Sequence, residues 1–375
     1  MAIRPSVLAG SSRRLVRCRL ALLCAALVGL GALPARATPH RDFTIVIFGD
    51  TQKMVRANGS PPSRVKAIER ARLGRFERMI DWILDHREDE GIELVLHVGD
   101  AINAGVFGRE TAQTREEWAR FDRQWKRLDG VVPYLVARGN HDNRAEFARH
   151  YGAAHFRALA AGLPGLELLA SSEREDAHVL RLDLGGQPTL VMSVSCYPPD
   201  DEIELLRREL REHPDLPAVI VSHIITAGPG LHPASTSKSD PDCSGERAPL
   251  RVWDDLVVPH AAQVVLTASG HFFDRTPGRS GSKVVEQVGG SRILDTFQNF
   301  QPFSDSAAGY ALTLVRVQAS DGTISVDTYS PVEAGRGEPL AQLDAQDRMR
   351  LAPTPFVFAV TPSPAGAAPG GEAPR

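Results

Sequence analysis

The sequence is poor in cysteine. Four occur in 375 residues, and two of these, Cys18 and Cys24, fall in an N-terminal segment set apart by its composition. The other two, Cys196 and Cys243, are too few for a disulfide scaffold. In an oxidising compartment they pair or stand as free thiols, and the sequence leaves both open. Clustered positive charge is also missing. The net charge is -3, and Lys and Arg are dispersed after the first forty residues, so there is no basic face of the kind that binds duplex phosphates. No apolar run reaches the about 20 residues that a membrane span needs, and no internal repeat is visible. What remains is ordinary for a soluble globular chain: 42% hydrophobic residues, with charge of both signs spread evenly.

The N-terminus reads as an export signal. Arg13, Arg14, Arg17 and Arg19 form a basic region, and residues 20–33 are an apolar run interrupted only by small residues. Ala35-Arg36-Ala37 then supplies the small-x-small pattern that a signal peptidase cuts. Residues 1–37 are expected to be a cleaved signal peptide and the mature protein to be secreted or periplasmic, with no membrane span. The alternative is a retained anchor helix. A lipoprotein is excluded because Leu23, which is not small, precedes Cys24. Ser12-Arg13-Arg14-Leu15-Val16 carries an Arg-Arg pair, so export is by the general route or by a twin-arginine route.

In the mature chain, apolar β-branched runs alternate with helical patterns. Residues 43–48, 92–98, 132–136, 218–221 and 263–267 read as strands covered on both faces. Residues 64–88, 113–128, 200–212 and 247–259 carry apolar residues at helical spacing. Strand–helix alternation implies a layered α/β architecture. Residues 178–183 and 189–194 read as a hairpin around Gly185-Gly186. After His271 only strands are predicted, at 284–288, 292–297, 311–317 and 323–329, which argues for a second sheet packed on the first. Residues 226–246 form a long loop rich in Gly, Pro and Ser, of a length usually reserved for functional sites. One catalytic domain over 38–352 is expected, followed by a Pro/Ala/Gly-rich, largely disordered tail at 353–375.

The residues just beyond these strands carry the chemistry. Residues 43–48 run into Gly49-Asp50-Thr51-Gln52, and 92–98 into Gly99-Asp100-Ala101-Ile102-Asn103. The third strand runs into Gly139-Asn140-His141-Asp142, the fourth into His223, and the fifth into Gly270-His271. Sites in α/β sheets form at the carboxyl ends of strands. Singly, each residue is a turn aspartate, a capping asparagine or a surface histidine. Together, five strands deliver metal-binding residue types to one edge.

This order resembles the calcineurin-like metallophosphoesterases from about residue 43 to 330. It is most similar to an exported bacterial branch with Asp-Thr-Gln in the first motif, and Asn299-Phe300-Gln301 and Tyr329-Ser330-Pro331 match that branch further on. The resemblance implies a four-layered α/β/β/α sandwich, with two mixed sheets flanked by helices and a metal site at the C-terminal ends of strands. It implies two divalent metal ions bridged by Asp100. One would also take Asn140, His223 and His271, the other Asp50 and Gln52. Two cations about 3.5–4 Å apart clamp the phosphate and activate a water for in-line attack on phosphorus. His141 would lie beside them and assist the leaving group. Asp142 would orient His141, or cap the helix starting near Arg144.

Two departures from the family pattern stand out. Gln52 and Phe273 occupy positions where histidine is usual, so the second metal position offers oxygen ligands only. That favours a hard ion, Mn²⁺, Mg²⁺ or Ca²⁺, while the two-imidazole position accepts Fe, Zn or Mn. Asn299 and Gln301 are candidates to complete the altered position or to touch substrate. Asn103 is a candidate for contact with the phosphate or a bridging water, or is a turn residue. His97 reads as a hydrogen-bonded core residue, the four tryptophans as packing, and His232 and His260 receive no role. Cys196 and Cys243 are expected to form a bridge fastening the 226–246 loop. The expected activity is hydrolysis of a phosphomonoester or phosphodiester, on a small-molecule or polymer-borne substrate, by a monomer. The alternatives are a pyrophosphate or nucleotide-diphosphate hydrolase, and a catalytically degenerate metal-dependent binding module.

Overall fold

In a computed structural model, residues 41–59, 63–226, 251–272, 281–286, 291–300, 311–319 and 323–331 are described. Among these residues, twelve strands fall into two mixed sheets. The first has five strands in the order β12 (Thr323–Tyr329), β11 (Leu312–Gln318), β1 (Phe43–Phe48), β2 (Ile92–His97) and β3 (Tyr134–Val136). The second has seven: β4 (Glu167–Ser171), β5 (His178–Leu184), β6 (Gln187–Val194), β7 (Ala218–Ser222), β8 (Val264–Ser269), β10 (Arg292–Phe297) and β9 (Gly281–Glu286). The parallel strands are β1–β2–β3 in one sheet and β6–β7–β8–β10 in the other.

Side-chain alternation defines the layers. In β7, Val219 and Val221 join the large core that also holds β1 and β2, while Ala218 and Ile220 join a second core. Successive strand residues point to opposite faces, so the first pair lies between the sheets and the second on the outer face. That outer face is covered by α6 (Asp200–Glu212), through Leu205, Leu206 and Leu210, and by a wide helical turn of π type, Val252–Val257. The first sheet is covered by α2 (Ser63–His86) and α3 (Ala112–Trp125), which contribute Phe76, Met79, Ile83, Trp118, Phe121 and Trp125. Every residue of β1 is buried, as a strand covered on both faces requires. The two mixed sheets flanked by helices are the expected layered architecture.

The division of strands between sheets is a correction. Strands after His271 do not form a separate sheet. β9 and β10 extend the sheet that holds β7 and β8, whereas β11 returns to pair antiparallel with β1, Val46 opposite Leu314. Apolar runs report burial, not pairing partner, so a partner some 270 residues away leaves no local trace. Helix α4 (Arg144–Tyr151) starts where a helix is expected, whereas α5 (Ala153–Gly162) and edge strand β4 have no counterpart in the pattern. A four-residue helix, α1 (Gln52–Val55), follows β1. Among the described residues no helix is long and apolar enough to cross a membrane.

Candidate metal centre

Six parallel strands, three from each sheet, end at one place. β1, β2 and β3 deliver Asp50, Asp100 and Asn140, while β7, β8 and β10 deliver His223, His271 and Asn299. The turns that aim them are strained. Asp100 and His271 adopt left-handed backbone, φ 56° and 68°, two of only three non-glycine residues with positive φ among those described. Such conformations cost about 1–3 kcal/mol and persist where surrounding structure holds them. Gly139 is required by close approach, because a Cβ there would collide with the backbone nitrogen and carboxylate of Asp100.

Four donor atoms crowd together. Asn140 Oδ1 lies 2.9 Å from His271 Nδ1 and 3.0 Å from His223 Nε2. The two ring nitrogens are 3.2 Å apart, and His223 Nε2 is 3.3 Å from Asp100 Oδ1. Ligands bonded at about 2.0–2.2 Å to one cation are separated by about 2.8–3.6 Å along the edges of an octahedron or tetrahedron. His223 donates Nδ1–H to the carbonyl of Val98 at 3.0 Å, which aims Nε2 inward, as carbonyl-anchored metal-binding imidazoles do. Asp100, His223 and His271 can hold a divalent ion together.

The carboxylate of Asp100 is shared outward. Its Oδ1 also accepts the backbone N–H of His141 at 2.9 Å, and its Oδ2 accepts Gln52 Nε2 at 2.9 Å. Gln52 Oε1 is buried and has no hydrogen-bond partner. An orphaned carbonyl oxygen beside a carboxylate fits a second cation position, since a buried acceptor without a donor is otherwise costly. Asp50 Oδ1 accepts the backbone N–H of His271 at 3.3 Å, and Asp50 Oδ2 accepts Asn299 Nδ2 at 3.1 Å. Asn299 Nδ2 also donates to the His271 carbonyl at 2.9 Å. Asn299 thus presents its nitrogen here and braces Asp50 and the His271 turn.

Charge is held unevenly. Burial disfavours an imidazolium at His223, but the Asp100 and Asp50 carboxylates push it up to about 9. Burial and the neighbouring His223 push His271 down to about 4. For Asp100, burial works against the charged form, yet His223 and His141 hold the carboxyl well below the usual range. His141 is opposed by burial but raised overall by Asp100, the Asn103 carbonyl and Asp142. Burial, with Asp100 nearby, raises Asp142 to about 6.

The role expected of Asp142 is corrected in both forms. Its carboxylate accepts three backbone N–H groups, from Ala101 (3.2 Å), Ile102 (3.0 Å) and Gly139 (2.9 Å). It ties the β2 and β3 loops together and reaches His141 only through space. His141 Nδ1–H goes instead to the Asn103 carbonyl, 2.7 Å away. The cap of α4 is Asn143, whose side chain accepts Glu146 N. Asn103 therefore serves the site through its backbone.

His97 is fully buried among Phe48, Phe121 and Trp125. It accepts Gly99 N–H at Nδ1 and bonds Thr51 Oγ at Nε2. Burial and His223 push it down to about 3, so it is a neutral core group, as expected. Cys196 is disulfide-bonded. Cys243, Phe273 and Gln301 lie outside the described residues, as do the signal segment, most of the 226–246 loop and the tail.

Sequence pattern missed Glu117. It is fully buried on the apolar face of α3, in register with Thr114, Trp118 and Phe121, and an acidic residue on that face was the available signal. It also missed Arg138, which pairs with Asp176 at 3.1 Å beneath the β3 loop, both fully buried.

Among solved structures the chain is similar to GAP50, the anchor in the inner membrane complex of Plasmodium, at 9% identity and a TM-score of 0.41, over 80% of this chain and 87% of that one. No curated protein matches it. The family profile for calcineurin-like phosphoesterases matches residues 43–246, more than half of the chain. With the strand ends, the donor cluster and that match in agreement, the chain belongs to the calcineurin-like phosphoesterase family, metal-dependent hydrolases of phosphate esters.

Proposed function

We propose that this protein is an exported phosphomonoesterase or phosphodiesterase in which Asp50, Gln52, Asp100, Asn140, His223 and His271 hold two divalent ions and His141 assists the leaving group. The observation that carries the reading is the meeting of Asp100, Asn140, His223 and His271 at 2.9–3.3 Å, with His141 anchored by its backbone to the same carboxylate. Bound metal supplies charge neutralisation and activates a water for attack on phosphorus. The chain does the rest. Asn103 fixes the His141 tautomer, leaving Nε2 to carry the exchanged proton, and a proton given there to the departing oxygen offsets its developing charge. Asn299 and Asp142 hold the ligand loops in place. The oxygen-only position at Gln52 favours a hard ion.

Export rests on the basic and apolar N-terminal segment with its Ala-x-Ala site, and on a disulfide at Cys196, a bond of oxidising compartments. One observation favours a second reading, a catalytically silent binding module. Gln52 turns its nitrogen to Asp100, and its position offers no imidazole. The two readings separate in one assay. The chain beginning at Thr38 is incubated with Mn²⁺, Mg²⁺, Ca²⁺, Fe²⁺ or Zn²⁺ and with paired aryl phosphomonoester and phosphodiester substrates, beside His141→Ala. Metal-dependent turnover that falls in His141→Ala is expected. Absence of turnover with every ion, or turnover indifferent to the substitution, removes the proposal, and the preferred substrate sets the ester class.

A further inference from the structure

We propose that Glu117 is a positioning residue for the reaction, acting on His141 through the peptide group that joins Asn103 and Ala104. The inference rests on the reading of His141 given above. Glu117 stands on α3, outside every motif that faces the metal centre, and its side chain is fully buried. Its Oε2 accepts the backbone N–H groups of Asn103 at 2.8 Å and Ala104 at 2.7 Å. Its Oε1 accepts the backbone N–H of Ala57 at 2.9 Å and Gln113 Nε2 at 3.0 Å. One carboxylate thus clamps the loop after β2 and the segment that follows β1 and α1.

The peptide between Asn103 and Ala104 has a partner at each end. Its N–H points at the Glu117 carboxylate, and its C=O takes Nδ1–H of His141 at 2.7 Å. A negative charge on the donor end polarises a peptide group and makes its carbonyl a stronger acceptor. Within a buried site that effect is little screened. The carboxylate therefore fixes both the place of the carbonyl and the strength with which it holds the ring. A ring held in this way keeps Nε2 aimed and tolerates positive charge when it carries the proton for the leaving group. Glutamine cannot substitute. It has one carbonyl oxygen for four donors, and its NH₂ would face N–H groups at the other position.

A purely structural role makes a different prediction, so leaving-group dependence and coupling to His141 decide between them. Wild type, Glu117→Gln, His141→Ala, the double variant and Glu202→Gln are compared on aryl phosphates with good and poor leaving groups, at saturating Mn²⁺. Glu202 is a buried glutamate that binds Ser195 and touches neither loop. Glu117→Gln is expected to lower kcat about tenfold on the poor leaving group, with less effect on the good one and little change in KM. In the His141→Ala background the added loss should shrink to within about twofold. Glu202→Gln should show no leaving-group dependence of its own. Equal losses on both leaving groups, or a full loss persisting without His141, overturn the proposal. If His141→Ala alone leaves kcat on the poor leaving group unchanged, the reading of His141 has failed instead. Should Glu117→Gln not fold, Glu117→Asp keeps the charge at shorter reach. It must then show a smaller loss with the same leaving-group dependence, and a uniform loss from it overturns the proposal equally.

Discussion

His141 Nδ1 lies 2.7 Å from the carbonyl oxygen of Asn103, while the carboxylate of Asp142, next to it in the chain, accepts the backbone N–H groups of Gly139, Ala101 and Ile102. Neighbours in sequence thus serve different partners, one the reacting groups and the other the loops. Asp142→Asn should therefore act mainly on stability. Asparagine keeps one acceptor oxygen and turns an NH₂ towards backbone donors, which costs about 2–4 kcal/mol for buried bonds to a charged group. Denaturant titration at neutral pH measures it. A change below about 0.5 kcal/mol would show that the loops are held by something else.

Asn299 braces Asp50 and the His271 turn from the second sheet. Removing a group that orients a ligand usually costs about 10–100-fold in metal affinity. Asn299→Ala should lose affinity in that range while its metal-free form melts near the metal-free wild type, and competition with a fluorescent chelator reads the affinity directly. Unchanged affinity would mean that Asp50 is held without it.

Metal removal should destabilise the fold, because the ligands join two sheets. An ion at about 100 times its dissociation constant adds about 2.7 kcal/mol to the folded state. Protein stripped with a chelator is expected to melt several degrees lower and to recover as Mn²⁺ is titrated back. A melting temperature indifferent to chelator and metal would argue against a cation bridging the sheets.

Glu202 gives a pH signature away from the metals. Burial, with Asp176 nearby, pushes its carboxyl up from 4.5 to about 7, although Ser195 hydrogen-bonds to it. A carboxyl raised on folding binds its proton more tightly in the native state. Its contribution is complete below the unfolded value and is lost as pH rises through about 7. The interval is worth about 3 kcal/mol. Glu202→Gln cannot titrate, so its stability relative to wild type should climb between pH 4.5 and 8. A difference independent of pH would show that Glu202 ionises normally.

Most of the strands and the metal-ligand types were legible in sequence, for a common reason. Buried strands demand β-branched runs, and a polar group follows within one to four residues of each strand end, so β1 and Asp50, or β8 and His271, announce themselves locally. The departures at Gln52 and Phe273 were visible only against the family pattern. The bracing was not legible. Glu117, Asn299 and Asp142 work by accepting or donating across separations of up to 249 residues; only Glu117 carries a local mark, its place on an apolar helix face, and nothing local names its partners.

The sequence by itself determined which polar residue types follow the strands, because side-chain chemistry and the turn after a strand are local properties of short segments. Tertiary structure alone decided how those residues meet. The pairing of β11 with β1, the seating of β7, β8 and β10 in the other sheet, and the hydrogen bonds linking their loops all depend on contacts between distant segments. Those contacts form only once two sheets close on a shared core, and that closure brings carboxylate, amide and imidazole within 3.3 Å of one another.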